Sequence, residues 1–247
     1  MCHDNDSRPP APPRVGAVAG SGDLVLTSAD GTRFGAYAAR PEAPSGAGVV
    51  VLPDVRGLHP YYRDLAVRFA EAGLDAVAID YFGRTAGIGE RGDDFAWQPH
   101  REQTTPAGIA ADAAAAVDHL TAPDGPAARA VFTVGFCFGG SQSWRLAASD
   151  LPLAGTIGFY GRPALVEGVL DRIHRPLLML VAGADGATPQ ADFERMDKRL
   201  TAAGREHEMY VYPGAPHSFF DRAFDQWRDA CADAWRRILA FVDRHSS

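Results

Sequence analysis

This sequence has few cysteines, no block of positive charge and no long apolar run, and each absence excludes a class of protein. Three cysteines in 247 residues make a sparse, odd set that provides no disulfide framework. Lys and Arg number 24 against 31 Asp and Glu, a net charge of −7, and without a basic patch this argues against a nucleic-acid partner. No apolar run reaches the ~18 residues that a membrane-spanning helix needs.

The first residues also lack the positive start and apolar core of a secretory signal peptide. Residues 1–20 are polar and rich in proline and glycine, so we predict a disordered N-terminal lead followed by a single domain over residues 21–247. Together with the sparse cysteines, this predicts a cytoplasmic protein. The sequence leaves open whether the chain is a monomer or a small homo-oligomer.

The rest of the chain alternates between strand-like and helix-like stretches. "GDLVLTS" and "TRFGAYAAR", joined by the turn residues Asp30 and Gly31, predict an antiparallel hairpin. The unbroken apolar run "AGVVVLPD" is typical of a central parallel strand that is covered on both faces. The predicted fold class is therefore α/β, with a mostly parallel central sheet and helices on both of its faces.

Helix signals follow in the later segments. Thr105 as N-cap and Pro106 at the first position predict a helix over "TTPAGIAADAAAAVDHL". A last helix is predicted from about Phe224 to Arg244, with Cys231 on its apolar face. The polar residues 83–103 between strands predict one long loop that reaches over a pocket.

Three reactive residues follow directly after predicted strands. Cys137 follows "AVFTVGF", Asp185 follows "LLMLVAGA", and His217 follows "MYVYPGAP". In parallel sheets chemistry gathers at the carboxyl ends of the strands. The order nucleophile, acid, histidine is also the chain order of the catalytic triad in hydrolases of this sheet type.

The segment "GFCFGG" matches the nucleophile-elbow pattern G-x-S-x-G with cysteine in place of serine. Gly135 and Gly139 flank Cys137, as expected where a strained turn leaves its neighbours no room for side chains. Each residue also has a simpler interpretation: Cys137 as a buried apolar filler, His217 as a loop histidine and Asp185 as a turn residue.

The three residue types suit nucleophilic catalysis. A free thiol has a pKa of ~8.5 and needs a base or a positive field to become a thiolate. His217 can be that base and then protonate the leaving group, while Asp185 holds the imidazole tautomer. The helix that begins near Gly139 points its N-terminus at Cys137 and favours the anion.

The chain resembles the dienelactone hydrolases, or carboxymethylenebutenolidases, over roughly residues 23–245. The resemblance rests on "GFCFGG", on "PGAPHSFFDR" around the histidine, and on "VVVLPDVRGLHPYYRDLAVRFAEAGLDAVAIDYFGR". It implies an α/β-hydrolase fold and a cysteine hydrolase that needs no cofactor. The implied partner is a small lactone or activated ester that bears a carboxylate.

The resemblance also implies further site residues. Asp54 holds the position of an acidic residue that interacts with the resting thiol, although the best-known members carry glutamate there and Asp54 can equally form a turn. Backbone N–H groups of Val55 and Phe138 would form the oxyanion hole. The remaining candidates would bind substrate through charge or aromatic contact: Arg84, Arg101, Arg222, Trp97 and Tyr160, with Arg222 departing from the family's usual spacing after the histidine.

Two other classes of protein are alternatives to this hydrolase hypothesis. A relative that binds ligand without turnover would keep the same pocket. A dinucleotide-binding protein is disfavoured because no G-x-G-x-x-G opens a helix after "VVVLP". His59 and His100 lack the paired spacing of a metal site, so no metal is predicted.

Overall fold

A central sheet of eight strands organises the computed structural model, which describes residues 7–221 and 224–246. In the described residues the strand order is β1-β2-β4-β3-β5-β6-β7-β8. The pairs β1–β2 and β2–β4 are antiparallel, and all further neighbours are parallel. The strands are Val18–Thr27 (β1), Arg33–Pro41 (β2), Ala47–Leu52 (β3), Asp75–Ile79 (β4), Ala130–Phe136 (β5), Gly155–Phe159 (β6), Leu177–Ala182 (β7) and His207–Tyr212 (β8).

Helices cover both faces of this sheet. They are Pro60–Glu71 (α1), Gly83–Ala86 (α2), Trp97–Gln103 (α3), Pro106–Thr121 (α4), Phe138–Leu146 (α5), Gln190–Ala202 (α6) and Arg228–His245 (α7), with short 3₁₀ turns at Pro163–Leu165 and Glu167–Arg172. Alternate residues of β3 point to opposite faces: Val49 and Val51 pack with α1 and α7, whereas Val50 and Leu52 pack with α4. This explains the unbroken apolar run, because a strand covered on both sides needs no polar face.

Several predicted elements are confirmed. The opening hairpin pairs β1 with β2 in antiparallel register, and the sheet is mostly parallel with helices on both faces, as predicted. Thr105 caps α4, its Oγ1 accepting a hydrogen bond from the Gly108 N–H at 3.1 Å. Cys231 is buried on the inner face of α7. In the part of the chain that the structure describes, no helix has the length and apolar character needed to cross a bilayer.

Residues 83–103 differ from the predicted loop, since α2 and α3 lie within them. The helices here escaped prediction because the segment has no apolar stripe at helical spacing. Polar and aromatic contacts hold it in place instead. Arg91 forms a buried ion pair with Asp80 at 2.8 Å, and its guanidinium lies 4.6 Å from the centre of the Phe95 ring. The last helix also differs, beginning at Arg228 and ending at His245.

The N-terminal segment differs from the expected disordered lead. Residues 1–6 lie outside the described residues, but Pro9 and Pro10 are buried, and the Pro10 carbonyl accepts a 3.0 Å hydrogen bond from Trp235 Nε1. The Gly16 N–H donates to the Glu71 carbonyl at 2.7 Å. The proline-rich stretch packs here without forming a helix or strand of its own, because it lies against the end of α1 and the middle of α7.

Candidate active site

The elbow at Cys137 is a turn of positive φ at the carboxyl edge of the sheet. Cys137 stands between β5 and α5, with φ 54° and ψ −113°. A positive φ is uncommon for a residue with a side chain and marks stored backbone strain. The turn leaves Cys137 partly exposed, which does not suit a buried apolar filler.

Backbone crowding explains the flanking glycines. A Cβ on Gly135 would lie 2.0 Å from the Gly139 carbonyl oxygen, and one on Gly139 would lie 2.2 Å from the carbonyl oxygens of Leu52 and Pro53. Contacts this short require the backbone itself to move, so neither position accepts a side chain in this conformation. The elbow therefore fits against the end of β3 only because both residues are glycine.

Hydrogen bonds fix the elbow on both sides. The Cys137 N–H donates to the Phe159 carbonyl at 3.1 Å, and the Ser141 N–H donates to the Cys137 carbonyl at 3.2 Å. Ser141 Oγ also accepts the N–H of Arg162 at 2.8 Å, which ties the turn after β6 to the first turn of α5. The N-terminus of α5, the positive end of its dipole, thus begins directly after Cys137.

The structure brings His217 and Asp185 together. The distance between His217 Nδ1 and Asp185 Oδ2 is 2.7 Å, and the Asp185 side chain is fully buried while that of His217 is 22% exposed. Asp185 Oδ1 accepts the Ala187 N–H at 2.8 Å. The same carboxylate therefore stabilises its own turn and contacts His217. With Nδ1–H donated to Asp185, Nε2 is the nitrogen that can accept a proton.

Tyr160 supports the histidine instead of lining the pocket. It follows β6 directly with φ 35°, its ring centre lies 4.9 Å from that of His217, and its hydroxyl donates to Asp221 Oδ2 at 3.0 Å. Tyr160 is fully buried and is not among the described residues around the Cys137 cavity. The structure therefore places Tyr160 against the His217 imidazole, and not on the cavity where the sequence predicted a substrate contact.

Asp54 lies buried in the turn that follows β3. Its Oδ1 accepts the Arg56 N–H at 2.8 Å, which is the turn-forming role considered from the sequence. The Tyr81 hydroxyl donates to the Pro53 carbonyl at 2.6 Å and also contacts the Asp54 carbonyl. These bonds hold the backbone of this turn, including Val55, beside the elbow.

His59 and Asp93 connect this turn to the segment between α2 and α3. His59 Nδ1 accepts the Tyr61 N–H at 3.3 Å, and Nε2 lies 3.0 Å from Asp93 Oδ1. Arg56 Nη1 also lies 3.7 Å from the same oxygen. Burial lowers the pKa of His59, so the neutral ring, accepting at Nδ1 and donating at Nε2, fits both contacts. The sequence interpretation of His59 as isolated missed Asp93.

A cavity of about 230 Å³ contains the thiol. It is lined by Val55, Trp97, Arg101, Cys137, Phe138, Arg162 and Leu165. The Arg101 guanidinium lies 5.4 Å from the centre of the Phe138 ring, and a neighbouring cavity of about 310 Å³ shares Arg101, Phe138 and Leu165. Sequence reasoning missed Arg162, although its place three residues after β6 follows the same strand-end rule as the other candidates.

Arg84, one of the predicted arginines, is not among the residues that line this cavity. Arg84 forms ion pairs with Asp112 at 2.8 Å and with Asp30 at 2.6 Å, so its charge is neutralised by two carboxylates. Sequence reasoning missed these partners because both lie far from Arg84 along the chain and only the fold brings them together. Arg222 lies outside the described residues. Within the ranges 7–221 and 224–246, no group of three or more His, Cys, Asp or Glu could hold a metal ion.

The parallel sheet, the strained elbow and the acid–histidine pair in this order define the α/β-hydrolase class of enzyme. The family model described as the dienelactone hydrolase family matches residues 34–246. The chain therefore belongs to the dienelactone hydrolase family of carboxylic-ester hydrolases.

Individual relatives agree with this assignment. The chain is 28% identical to the carboxymethylenebutenolidase of Rhodococcus opacus, covering 99% of this chain and 97% of that protein. It is 31% identical to a candidate carboxymethylenebutenolidase of Salmonella typhi, covering 96% and 93%. A crystal structure of a candidate dienelactone hydrolase from Klebsiella pneumoniae has a TM-score of 0.76 and 26% identity, covering 91% of this chain and 98% of that one.

Proposed function

We propose that this chain hydrolyses small lactones or activated carboxylic esters through an acyl-enzyme formed on Cys137. The observation that carries the proposal is the 2.7 Å pairing of His217 with Asp185 at the sheet edge where the strained Cys137 elbow stands. A histidine with its Nδ1 engaged by a buried carboxylate is a general base at Nε2. A partly exposed thiol at a helix N-terminus is the matching nucleophile.

The reaction begins when His217 removes the thiol proton of Cys137. The thiolate sulfur attacks the carbonyl carbon, and the carbonyl oxygen becomes an oxyanion that accepts hydrogen bonds from the Val55 and Phe138 N–H groups. The intermediate collapses with cleavage of the acyl C–O bond, and His217 gives its proton to the departing alkoxide. In a lactone that alkoxide stays attached to the acyl group.

Water completes the cycle. His217 takes a proton from a water molecule whose oxygen attacks the thioester carbon, a second oxyanion forms, and the C–S bond breaks. The carboxylic acid is released and the thiolate regains its proton. Asp54 would assist formation of the Cys137 thiolate as a carboxylate that accepts a hydrogen bond from the thiol.

The cavity walls indicate the substrate. Val55, Trp97 and Leu165 offer apolar surface, and Arg101 offers a cation for a substrate carboxylate. A volume of about 230 Å³ is below the ~300–1,000 Å³ of pockets for drug-sized ligands, so the substrate is small. The name of the Rhodococcus relative, carboxymethylenebutenolidase, describes a substrate of this kind, a lactone bearing a carboxylate.

The test compares the parent with Cys137→Ala on para-nitrophenyl acetate and on a dienelactone. Loss of the nucleophile should reduce turnover ~10⁴-fold or more. Mass spectrometry of the quenched parent should find the acyl group on the peptide that contains Cys137. Equal turnover by the two proteins would overturn the assignment, and binding of the lactone by the parent without any turnover would favour a ligand-binding relative.

A further inference from the structure

Two arginines line the Cys137 cavity, Arg101 and Arg162. Within the described part of the chain, neither has a carboxylate within ion-pairing distance among the contacts of the structure. The other cavity walls are apolar or aromatic apart from the thiol itself. The lining of the cavity therefore carries two cationic side chains and no carboxylate.

Several buried or partly buried arginines elsewhere in the protein are paired with a carboxylate. Arg91 pairs with Asp80 at 2.8 Å, Arg84 pairs with Asp112 at 2.8 Å, and Arg56 lies 3.7 Å from Asp93. Charged groups held away from bulk water are normally paired in this way. The partly buried Arg101 lacks such a pair among the described residues, and the exposed Arg162 on the same cavity has none either.

The two arginines reach the elbow from separate elements. Arg101 belongs to α3 and lies over the ring of Phe138, the residue that follows Cys137. Arg162 belongs to the turn after β6, and its backbone N–H is bound by Ser141 Oγ at 2.8 Å. Arg101 is partly buried and Arg162 is exposed, so one cation stands inside the cavity and the other at its mouth.

We infer that Arg162 is a specificity-determining residue that, together with Arg101, selects esters or lactones carrying two acidic groups. The role in turnover rests on the proposed function, whereas the binding preference does not. A neutral substrate would leave both cations without a partner, and a monoanion would compensate one of them. A dianion of small size gives each guanidinium a carboxylate to bind.

The kinetic test uses three para-nitrophenyl esters whose acyl groups gain one carboxylate at each step: butanoate, the monoester of glutarate and a monoester of tricarballylate. Spontaneous hydrolysis of each is subtracted. Arg162→Gln should lower kcat/KM for the dianionic ester about tenfold to hundredfold, the range of a charge-assisted hydrogen bond, and leave the butanoate ester within about twofold. Arg162→Lys should recover part of the loss, and Arg236→Gln, on the outer face of α7, should match the parent.

A binding test separates this inference from the chemistry. In Cys137→Ala, calorimetry measures the Kd of methyl butanoate, monomethyl glutarate and monomethyl tricarballylate. The dianion should bind most tightly, the preference should weaken in 0.5 M NaCl because of screening, and adding Arg162→Gln should abolish it.

Equal binding of the three esters, or a dianion preference that survives Arg162→Gln, would overturn the inference. Cys137-dependent hydrolysis by the parent would in that case leave the proposed function standing. Conversely, a dianion preference in the binding test together with full activity of Cys137→Ala would sustain the inference and refute the proposed function.

Discussion

The Asp185 carboxylate serves two partners with its two oxygens, accepting the Ala187 N–H on Oδ1 and facing His217 Nδ1 on Oδ2 at 2.7 Å. The first contact fixes the carboxylate and the second fixes the imidazole. A single buried side chain therefore sets the orientation of the loop after β7 and the tautomer of the residue after β8. The two functions can be separated by substitution.

Asp185→Asn should retain the fold and lose activity. The amide oxygen can still accept the Ala187 N–H, but the amide no longer stabilises an imidazolium and favours the wrong histidine tautomer, an effect worth ~10⁴-fold in kcat in the serine-protease triad. We expect a kcat loss of about 10³–10⁴-fold with a melting temperature close to that of the parent. Steady-state kinetics and thermal melting measure both, with Asp192→Asn on α6 as the control. Activity within tenfold of the parent would exclude Asp185 from the catalytic machinery.

Gly139→Ala should disrupt the elbow. The added Cβ would lie 2.2 Å from two carbonyl oxygens, and relief requires movement of the end of β3 or of the first turn of α5. We expect a loss of at least ~3 kcal/mol in the free energy of unfolding, the upper end for overpacking. Urea denaturation measures the loss.

The matched control is Gly168→Ala. A Cβ at Gly168 meets nothing within 4 Å, so its stability should change by less than about 0.5 kcal/mol. If Gly139→Ala were as stable and active as this control, the steric account of the elbow would be wrong.

Arg84→Gln should affect stability rather than substrate binding. It leaves the fully buried Asp112 carboxylate without its cation, and breaking a buried pair typically costs ~3–5 kcal/mol. KM for a carboxylate-bearing ester should stay within twofold, because Arg84 is already paired away from the cavity. Denaturation curves and Michaelis–Menten kinetics of the same preparation test the expected loss of stability and the expected constancy of KM. A selective rise in KM for anionic esters would return Arg84 to the substrate site.

The stability defect of Arg84→Gln should depend on pH. Burial is the main cause that raises the pKa of Asp112, and removing Arg84 raises it further. A carboxyl group whose pKa is higher in the folded state stabilises that state below its unfolded pKa, and this contribution is lost as pH rises. The defect should therefore be smaller at pH 4 than at pH 7, which urea titrations at the two values can check.

His59 should make the parent less stable in mild acid. Burial lowers its pKa below the ordinary 6.5, so the unfolded chain takes up a proton that the folded chain resists. The contribution of the neutral His59 to the free energy of unfolding is fully present above pH 6.5. It falls as pH decreases, by at most ~1.4 kcal/mol per pH unit for one such group. His119 acts in the same direction, since burial lowers its pKa too.

The measurement is the unfolding free energy at pH 7 and pH 5 for the parent and His59→Gln. The variant should lose less stability between the two values, whatever its stability at pH 7. His174→Gln, at an exposed histidine, should keep the parent's pH dependence. An unchanged slope in His59→Gln would show that His59 is not the group that titrates.

The sequence predicted the parts of the site that follow from local rules. Cys137 and its glycines form a contiguous motif, and Asp185 and His217 follow strands whose apolar runs are unmistakable. The contacts that escaped prediction join residues far apart in the chain. Asp93 meets His59, and Asp112 meets Arg84, through the packing of irregular segments, which no periodic pattern records. Residues 83–103 illustrate the cause, because a buried ion pair and aromatic contacts hold them in place of an apolar stripe.

The buried ion pair of Arg91 with Asp80 holds a cavity-lining segment in place separately from the residues proposed for the chemistry. The groups proposed for bond breaking stand at strand ends and at the elbow, where crowding leaves little freedom to vary. Trp97 and Arg101 belong instead to a segment fastened to the body by its own anchors at Arg91, Asp93 and Phe95. Residues between those anchors and the start of α4 can consequently diverge without disturbing the elbow. A transplant of residues 96–103 from a relative would then be a direct route to a new substrate range on an unchanged hydrolytic core.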